Sequence, residues 1–330
     1  MNRRILIASL PADALKPTDF EMHTASVPVP GPGQVLVRTK AITIGAGQRA
    51  GLQGSASYTG APEVGRVMGG TGIGTVEASN HAGIPAGAVV SADTGWQDYS
   101  VHDADRVAVV DASLDAAHHL GLLGTNGLTA YFGLVDIGRP QPGETVVVSA
   151  AAGSVGHIVG QIATILGART VGVVGSDEKA QMLIDRFGFE AAVNRRAEDY
   201  RSQFKAATPN RIDVYFDNTG GAILESALFR MNLHGRIVCC GAASQYDTTH
   251  PGPGPRGVPG LLVNNRVRME GFLVFDFASR YDEARRQLRA WMDEGRLEPE
   301  CTEYQGLEQA PQAFVDLLGG VTVGTTIVRV

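Results

Sequence analysis

Cysteine is scarce in this 330-residue chain: Cys239, Cys240 and Cys301 are the only three, too few for a disulfide framework. Neither a CxxC nor an HExxH pattern occurs, and His118-His119 is the one histidine pair. Neighbouring residues on a helix point different ways, so that pair reads as packing or surface, and no metal site is expected. No apolar run reaches the roughly 18 residues of a membrane span. The N-terminal MNRRILIASLPADALKPTDFE meets charges and prolines too soon for a signal-peptide core, and a cytoplasmic protein is the expectation. Basic residues are in deficit: 28 Lys and Arg against 34 Asp and Glu give a net charge of −6, which argues against a nucleic-acid surface.

What the chain has in plenty is glycine, 42 residues without a collagen-like period, together with short apolar runs. From about 140 to 275 those runs alternate with helical patterns. ETVVVSAA, ARTVGVVG, EAAVN, RIDVYFDNTG, GRIVCCGA and RMEGFLVFDF read as strands. SVGHIVGQIATILG, DEKAQMLIDRFG and GAILESALFRMN read as helices between them. Such alternation specifies a parallel sheet covered on both faces, and strands apolar on both sides agree with it. Cys239 and Cys240 fall inside one of them. The first 120 residues differ: turns such as VPVPGPGQ and HAGIPAG separate short runs of a mainly β domain. YDEARRQLRAWMDEGRL is an amphipathic helix, and the tail ends in a β-branched strand expected to return to the first domain.

Residues 146–156, VVVSAAAGSVG, join a strand to a helix through small residues, with Ala150 standing where a first glycine is usual. Strand, tight turn and helix N-terminus form the geometry that cradles a dinucleotide pyrophosphate. Close helix–strand packing without a ligand is the alternative. NAD-preferring proteins carry an acid at the end of the second strand, which here reads VGVVGSDEK. Gly175 and Ser176 take its place, with Lys179 a helical turn on and Arg195 after the third strand, a setting suited to a 2′-phosphate. Asp177 is the counter-argument, since it could turn inward to a ribose.

GTNGLTAYFGLVDIG, ETVVVSAAAGSVGHIVGQIA, GSDEK, DVYFDNTGG, GRIVCCGAASQYD and RMEGFLVFDF occur in that order, over nearly the full length. In these segments the chain resembles the zinc-independent prostaglandin reductase and alkenal/enone double-bond reductase family of the medium-chain dehydrogenases/reductases. The resemblance implies an α/β fold, a GroES-like β domain plus a Rossmann doubly wound parallel-sheet domain, with the active site in the cleft between them. The expected division is 1–121 with 295–330 for the substrate domain and 122–294 for the nucleotide domain. NADPH is the implied cofactor, an unsaturated carbonyl the implied small-molecule substrate, and a homodimer the implied assembly.

Carried over residue by residue, the pyrophosphate turn is Ala152, Gly153, Ser154 and Val155. Gly175, Ser176, Lys179 and Arg195 surround the 2′-phosphate. Asn218, Cys240, Gly241, Ala242, Tyr246, Phe272, Leu273 and Val274 border the nicotinamide and its ribose, and Thr322 lies by the pyrophosphate. Tyr246 is assigned the carbonyl contact or proton supply, with packing on the cofactor as its alternative. Tyr58 and Asn264 are assigned to the substrate pocket. Asn264 stands where a second tyrosine is often found, and an amide cannot act as a phenol-like acid.

Two further segments depart from the family: TIGAGQRAG at 43–51 replaces an SxDPYMRG-like run, and GVTVGT replaces GxNxGK, with Thr322 and Thr325 for an amide and a cation. These departures suit a reductase serving a biosynthetic pathway. The loop HPGPGPRGVPG (250–260) is expected to be irregular, either a spacer or a wall over the substrate. Alternatives of related chemistry are quinone reduction and a role in iminium reduction or reductive cyclisation. An NADPH-binding protein without turnover is the alternative of another class.

Overall fold

The computed structural model describes residues 1–54 and 61–330. They form two compact units, residues 1–124 with 301–330, and residues 125–300. The N-terminal part of the first unit contributes β1 (Asn2–Ile7), β2 (Phe20–Ala25), β3 (Gln34–Ile44), β4 (Gly72–Ser79), β5 (Val89–Ala92), β6 (Tyr99–Asp103) and β7 (Ala108–Val109). They are accompanied by α1 (Ala46–Leu52) and α2 (Ala116–Leu120), the latter carrying His118 and His119.

The second unit opens with α3 (Thr125–Phe132), which runs into a π-helical turn, Gly133–Gly138. Then come β8 (Thr145–Ser149), α4 (Gly156–Ile165), β9 (Arg169–Val174), α5 (Asp177–Phe187) and β10 (Ala191–Asn194). α6 (Tyr200–Ala207), β11 (Ile212–Asp217), α7 (Gly221–Leu228), β12 (Met231–Cys239), α8 (Val258–Asn265), β13 (Arg268–Gly271) and α9 (Tyr281–Asp293) complete it. The chain then returns to the first unit with β14 (Cys301–Gln305), α10 (Ala310–Leu318) and β15 (Thr325–Arg329).

β15 pairs antiparallel with β3, so the last strand closes the sheet of the first unit as its β-branched sequence led one to expect. That sheet runs β14-β15-β3-β4-β5-β7, with β6 also on β3. Beside it, the paired β1 and β2 help enclose a core centred on Trp96. Trp96 is fully buried against the rings of Phe20 (5.2 Å) and Phe314 (5.9 Å), with Ile5, Ile42 and Val328 around them.

The sheet of the second unit is wholly parallel, in the order β10-β9-β8-β11-β12-β13. Counted within the unit this is 3-2-1-4-5-6, the doubly wound order whose direction of winding reverses between β8 and β11. Every residue of β8 is buried, as a strand covered on both faces requires. Val147, Val171, Tyr215 and Ile237 form one core with Phe204 of α6 and Leu224 and Leu228 of α7. α9 buries Ala284, Leu288 and Trp291, the i, i+4, i+7 stripe legible in its sequence.

Two elements differ from expectation. RMEGFLVFDF holds its strand only over Arg268–Gly271, and Val274–Arg280 winds into a 3₁₀ helix. Among the described residues β13 is an edge strand with a neighbour on one side only, so continuous hydrophobicity did not oblige the chain to stay extended. The Pro/Gly loop is irregular as far as Gly257, but α8 begins at Val258. Pro259 sits in its first turn, where a missing N–H costs no intrahelical bond. Among the described residues no helix is long and apolar enough to cross a membrane.

Candidate active site

The turn after β8 lies at the point where the sheet order reverses, where open parallel sheets receive ligands. Ala150 adopts φ +48°, the left-handed conformation that usually calls for glycine. The missing first glycine therefore changed the residue and not the backbone. Gly153 N–H donates to Ala150 O (2.9 Å), closing the turn. Gly156 opens α4 so close to the turn that a Cβ would lie 2.4 Å from Ala150 O and 2.8 Å from Ala151 Cα. One turn on, a Cβ at Gly160 would fall 1.8 Å from the buried Phe189 ring. Small residues here serve both the packing and the cradle.

Asn218, just beyond β11, is bound across the same point. Its backbone N–H donates to Ser149 Oγ (2.8 Å) and its Nδ2 to Ser149 O (2.7 Å). Beneath it the buried carboxylate of Asp217 accepts from Tyr215 OH (3.0 Å), Ser149 Oγ (3.2 Å), Thr219 N (3.0 Å) and Gly220 N (2.8 Å). Burial and the Asp217 charge push the Tyr215 phenol well above its ordinary value, so it remains a donor. Sequence reasoning missed Asp217 as the residue that shapes this loop. Its only signal was an acid closing an apolar strand.

The end of β9 carries the charge. Ser176 caps α5, its Oγ accepting from Lys179 N (3.3 Å). Lys179 is half-buried, and desolvation followed by the charge of Arg196 lowers its pKa. Desolvation and the same Arg196 charge lower that of Arg195. Arg196 was not singled out in the sequence, though it follows Arg195 directly. Its Nε and Cζ lie 3.9 Å from where a Cβ on Gly175 would stand. Asp177 is exposed, and its Oδ1 accepts from Asn194 Nδ2 (3.0 Å), while Asn194 Oδ1 accepts from Arg196 N (2.9 Å). Lys179 and Arg195, both disfavoured as cations by burial and by the Arg196 charge, stand with that arginine beside a glycine, an arrangement that suits a multiply charged anion. With the turn at Gly153–Gly156, these donors fit a dinucleotide bearing a 2′-phosphate.

Past β12 the chain turns back under the site. Cys240 N and Gly241 N both donate to Asp217 O (2.9 and 3.1 Å). Burial, then Asp217, pushes the Cys239 and Cys240 thiols up to about 11 and about 12, so neither is a thiolate at neutral pH. Tyr246 folds onto its own loop, where its phenol oxygen accepts from Ala242 N (2.9 Å). Phe272 packs near Phe216 at Gly133, Leu273 is extended, and Val274 is buried at the start of the 3₁₀ turn.

Asn264 lies on the exposed side of α8, its carbonyl accepting from Arg266 (2.7 Å). Thr322 belongs to the first unit, where its Oγ1 accepts from Thr326 Oγ1 (3.0 Å). Tyr58 lies outside the described residues. Among the described residues no group of three or more His, Cys, Asp and Glu is arranged to hold a metal ion.

Comparison with known proteins agrees with this architecture. A family model described as the N-terminal domain of oxidoreductase matches residues 3–110, and one described as zinc-binding dehydrogenase matches residues 154–290. The NADPH-dependent curcumin reductase of Escherichia coli (strain K12) is 37% identical, over 100% of this chain and 97% of its own length. Prostaglandin reductase 1 of Mus musculus is 37% identical over 95% of each. The crystal structure of CurA in complex with NADPH from Vibrio vulnificus superposes with a TM-score of 0.95 at 35% identity, covering 99% of this chain and 98% of that one. The chain thus belongs to the prostaglandin reductase and alkenal/enone double-bond reductase family of zinc-independent medium-chain dehydrogenases/reductases.

Proposed function

We propose that this protein is an NADPH-dependent reductase of the C=C bond of α,β-unsaturated carbonyl compounds. The observation that carries the reading is the pairing of a glycine turn at the sheet's reversal point with the Lys179–Arg195–Arg196 cluster at the end of β9. The first receives a pyrophosphate and the second a 2′-phosphate. Relatives named as curcumin and prostaglandin reductases support the substrate class. The first unit is assigned the substrate and the second the nucleotide.

When bound, NADPH supplies a hydride for the substrate β-carbon. The protein has to hold the alkene in line and stabilise the negative charge that develops on the carbonyl oxygen. Ala152, Gly153, Ser154 and Val155 would hold the pyrophosphate, and Asn218 with Cys240–Ala242 and Phe272–Val274 would border the nicotinamide. Tyr246 is the candidate donor to the carbonyl oxygen or the α-carbon. The Ala242 amide donates to its phenol oxygen and so fixes the ring's position in the loop.

Oxidation of NADPH followed with an enal, a cyclic enone and a quinone tests the reading. Turnover of the enal or enone is expected. Turnover of the quinone alone would make it a quinone reductase, and stabilisation by NADPH with no turnover would make it a binding protein. Tyr246→Phe is expected to lower kcat for the enone about tenfold, the order of one hydrogen bond made in the transition state, with NADPH affinity unchanged. An unaltered kcat would remove Tyr246 from the chemistry.

Self-association through β13 belongs to the same reading. This strand ends the sheet, and Val263, Leu273 and Phe275 nearby are 72%, 41% and 57% exposed. An open edge flanked by apolar side chains is a template for pairing. A homodimer is expected in light scattering, and Phe275→Asp is expected to shift it toward monomer. A wild-type monomer at micromolar concentration would refute this. Among the described residues Cys239, Cys240 and Cys301 form no disulfide, which fits a reducing compartment, and the cytoplasm is the proposed location.

A further inference from the structure

His157 is a fully buried, ionisable side chain that the reduction chemistry leaves without a part. It sits in the first turn of α4, and both ring nitrogens are bonded. Nδ1 lies 2.8 Å from Gly153 O, and Nε2 lies 3.1 Å from Glu300 N. A carbonyl can only accept and an amide N–H can only donate, so the ring is the neutral tautomer with its proton on Nδ1. Gly153 O also accepts from His157 N (3.2 Å), which holds that carbonyl from two directions.

The consequence follows from peptide geometry. The peptide between Gly153 and Ser154 is planar and trans, so its N–H points opposite to its C=O. Holding the Gly153 carbonyl against the ring turns the Ser154 N–H the opposite way, away from the imidazole. That amide is among those read as receiving the pyrophosphate.

The other nitrogen reaches Glu300, the last residue of the second unit. Gln161, also buried, reinforces that attachment: its Nε2 donates to Glu298 O (3.0 Å) and its Oε1 accepts from Glu298 N (2.7 Å). Arg186 at the end of α5 pairs with both Glu298 and Glu300, and the Phe187 ring beside it lies 5.7 Å from the imidazole. The segment 298–300 is therefore fastened to α4 and α5, the two helices whose N-termini frame the cofactor site.

We propose that His157 is a positioning residue for the cofactor: its ring sets the Gly153–Ser154 peptide so that the Ser154 N–H is presented to the pyrophosphate, and it ties that peptide to residues 298–300. The proposal rests on the NADPH reading. Its test separates two parts of the ligand, using NADPH and adenosine 2′-monophosphate, which has the 2′-phosphate and no pyrophosphate. His157→Leu removes both ring bonds. His157→Gln is long enough to keep an acceptor for Glu300 N but loses the Gly153 donor, and His157→Asn keeps the short donor and loses the reach to Glu300.

By titration calorimetry, Leu and Gln are each expected to weaken NADPH about tenfold, one hydrogen bond's worth, while adenosine 2′-monophosphate binds as to wild type. Asn is expected to restore most of the NADPH affinity. Equal weakening of both ligands would show general loosening and overturn the proposal, as would wild-type NADPH affinity in His157→Gln. If the wild-type protein itself fails to bind NADPH, the functional reading falls and takes this proposal with it. Should the Leu variant not fold, the Gln and Asn pair, which keeps a polar group in the polar site, decides alone.

Discussion

Replacing Lys179 and Arg196 together with alanine is expected to raise the Kd for NADPH about a hundredfold and that for NADH less than about threefold. Lys179 is half-buried, its ammonium already disfavoured by desolvation and by the neighbouring guanidinium. A 2′-phosphate removes that repulsion and turns it into attraction, so the cluster gains most where the anion carries most charge. A charge-assisted hydrogen bond contributes roughly 1.5–3 kcal/mol. Arg196 is exposed, so its share belongs at the low end of that range. Together the two reach about 3 kcal/mol, hence the hundredfold.

NADH lacks the group that meets these side chains and is expected to be almost indifferent to them. Arg195→Ala alone is expected to act in the same direction with smaller effect. Fluorescence titration of both nucleotides against both variants reads the result. Parallel losses for NADPH and NADH would mean that the cluster serves the fold or the adenine, and the assignment of the 2′-phosphate would fail. Asp177 enters as the control. Its carboxylate is held by Asn194, whose other end fixes the backbone of Arg196. Asn194→Ala should release the acid and narrow the preference between the two nucleotides.

The sequence made the second unit legible because its strands are buried on both faces. In β8 and β9 no polar face competes with the apolar run, and turn residues mark each end. The edge was harder to read. β13 shares one neighbour, so RMEGFLVFDF had an apolar run but no sheet to hold it beyond Gly271. Position by position, Lys179 and Arg195 could be proposed because they follow predicted strand ends. Arg196 could not, since which of two adjacent arginines faces Gly175 depends on the turn fixed by Asn194. Asp217 and His157 escaped for a related reason. Each works largely through backbone groups, Asp217 through Thr219 N and Gly220 N, His157 through Gly153 O and Glu300 N, and a backbone partner leaves no trace in residue type.

That property of His157 makes the fold expected to be sensitive to acid. Burial outweighs the favourable Gly153 carbonyl and Glu300 carboxylate, Arg186 opposes a second positive charge, and the imidazole is held down at about 4 against an ordinary 6.5. Between those values the unfolded chain carries a proton on this ring and the folded chain does not. Stability therefore rises with pH across that window. The contribution is complete above about pH 6.5 and is lost progressively as the pH falls toward about 4. At about 1.4 kcal/mol for each pH unit the loss is about 3 kcal/mol, a large share of a typical domain's stability.

The physical event below that range is protonation of Nε2, which turns the acceptor for Glu300 N–H into a second donor facing it. Carboxylates elsewhere also titrate here, so the informative quantity is a difference. Urea unfolding of wild type and His157→Gln at pH 7 and pH 4.5 is expected to show the variant losing less stability over the interval, by about 2 kcal/mol. The variant's lower stability at pH 7 is part of the same expectation, because the glutamine cannot make both ring bonds. Curves that fall in parallel would place the histidine in contact with solvent and remove the basis for a fixed neutral tautomer.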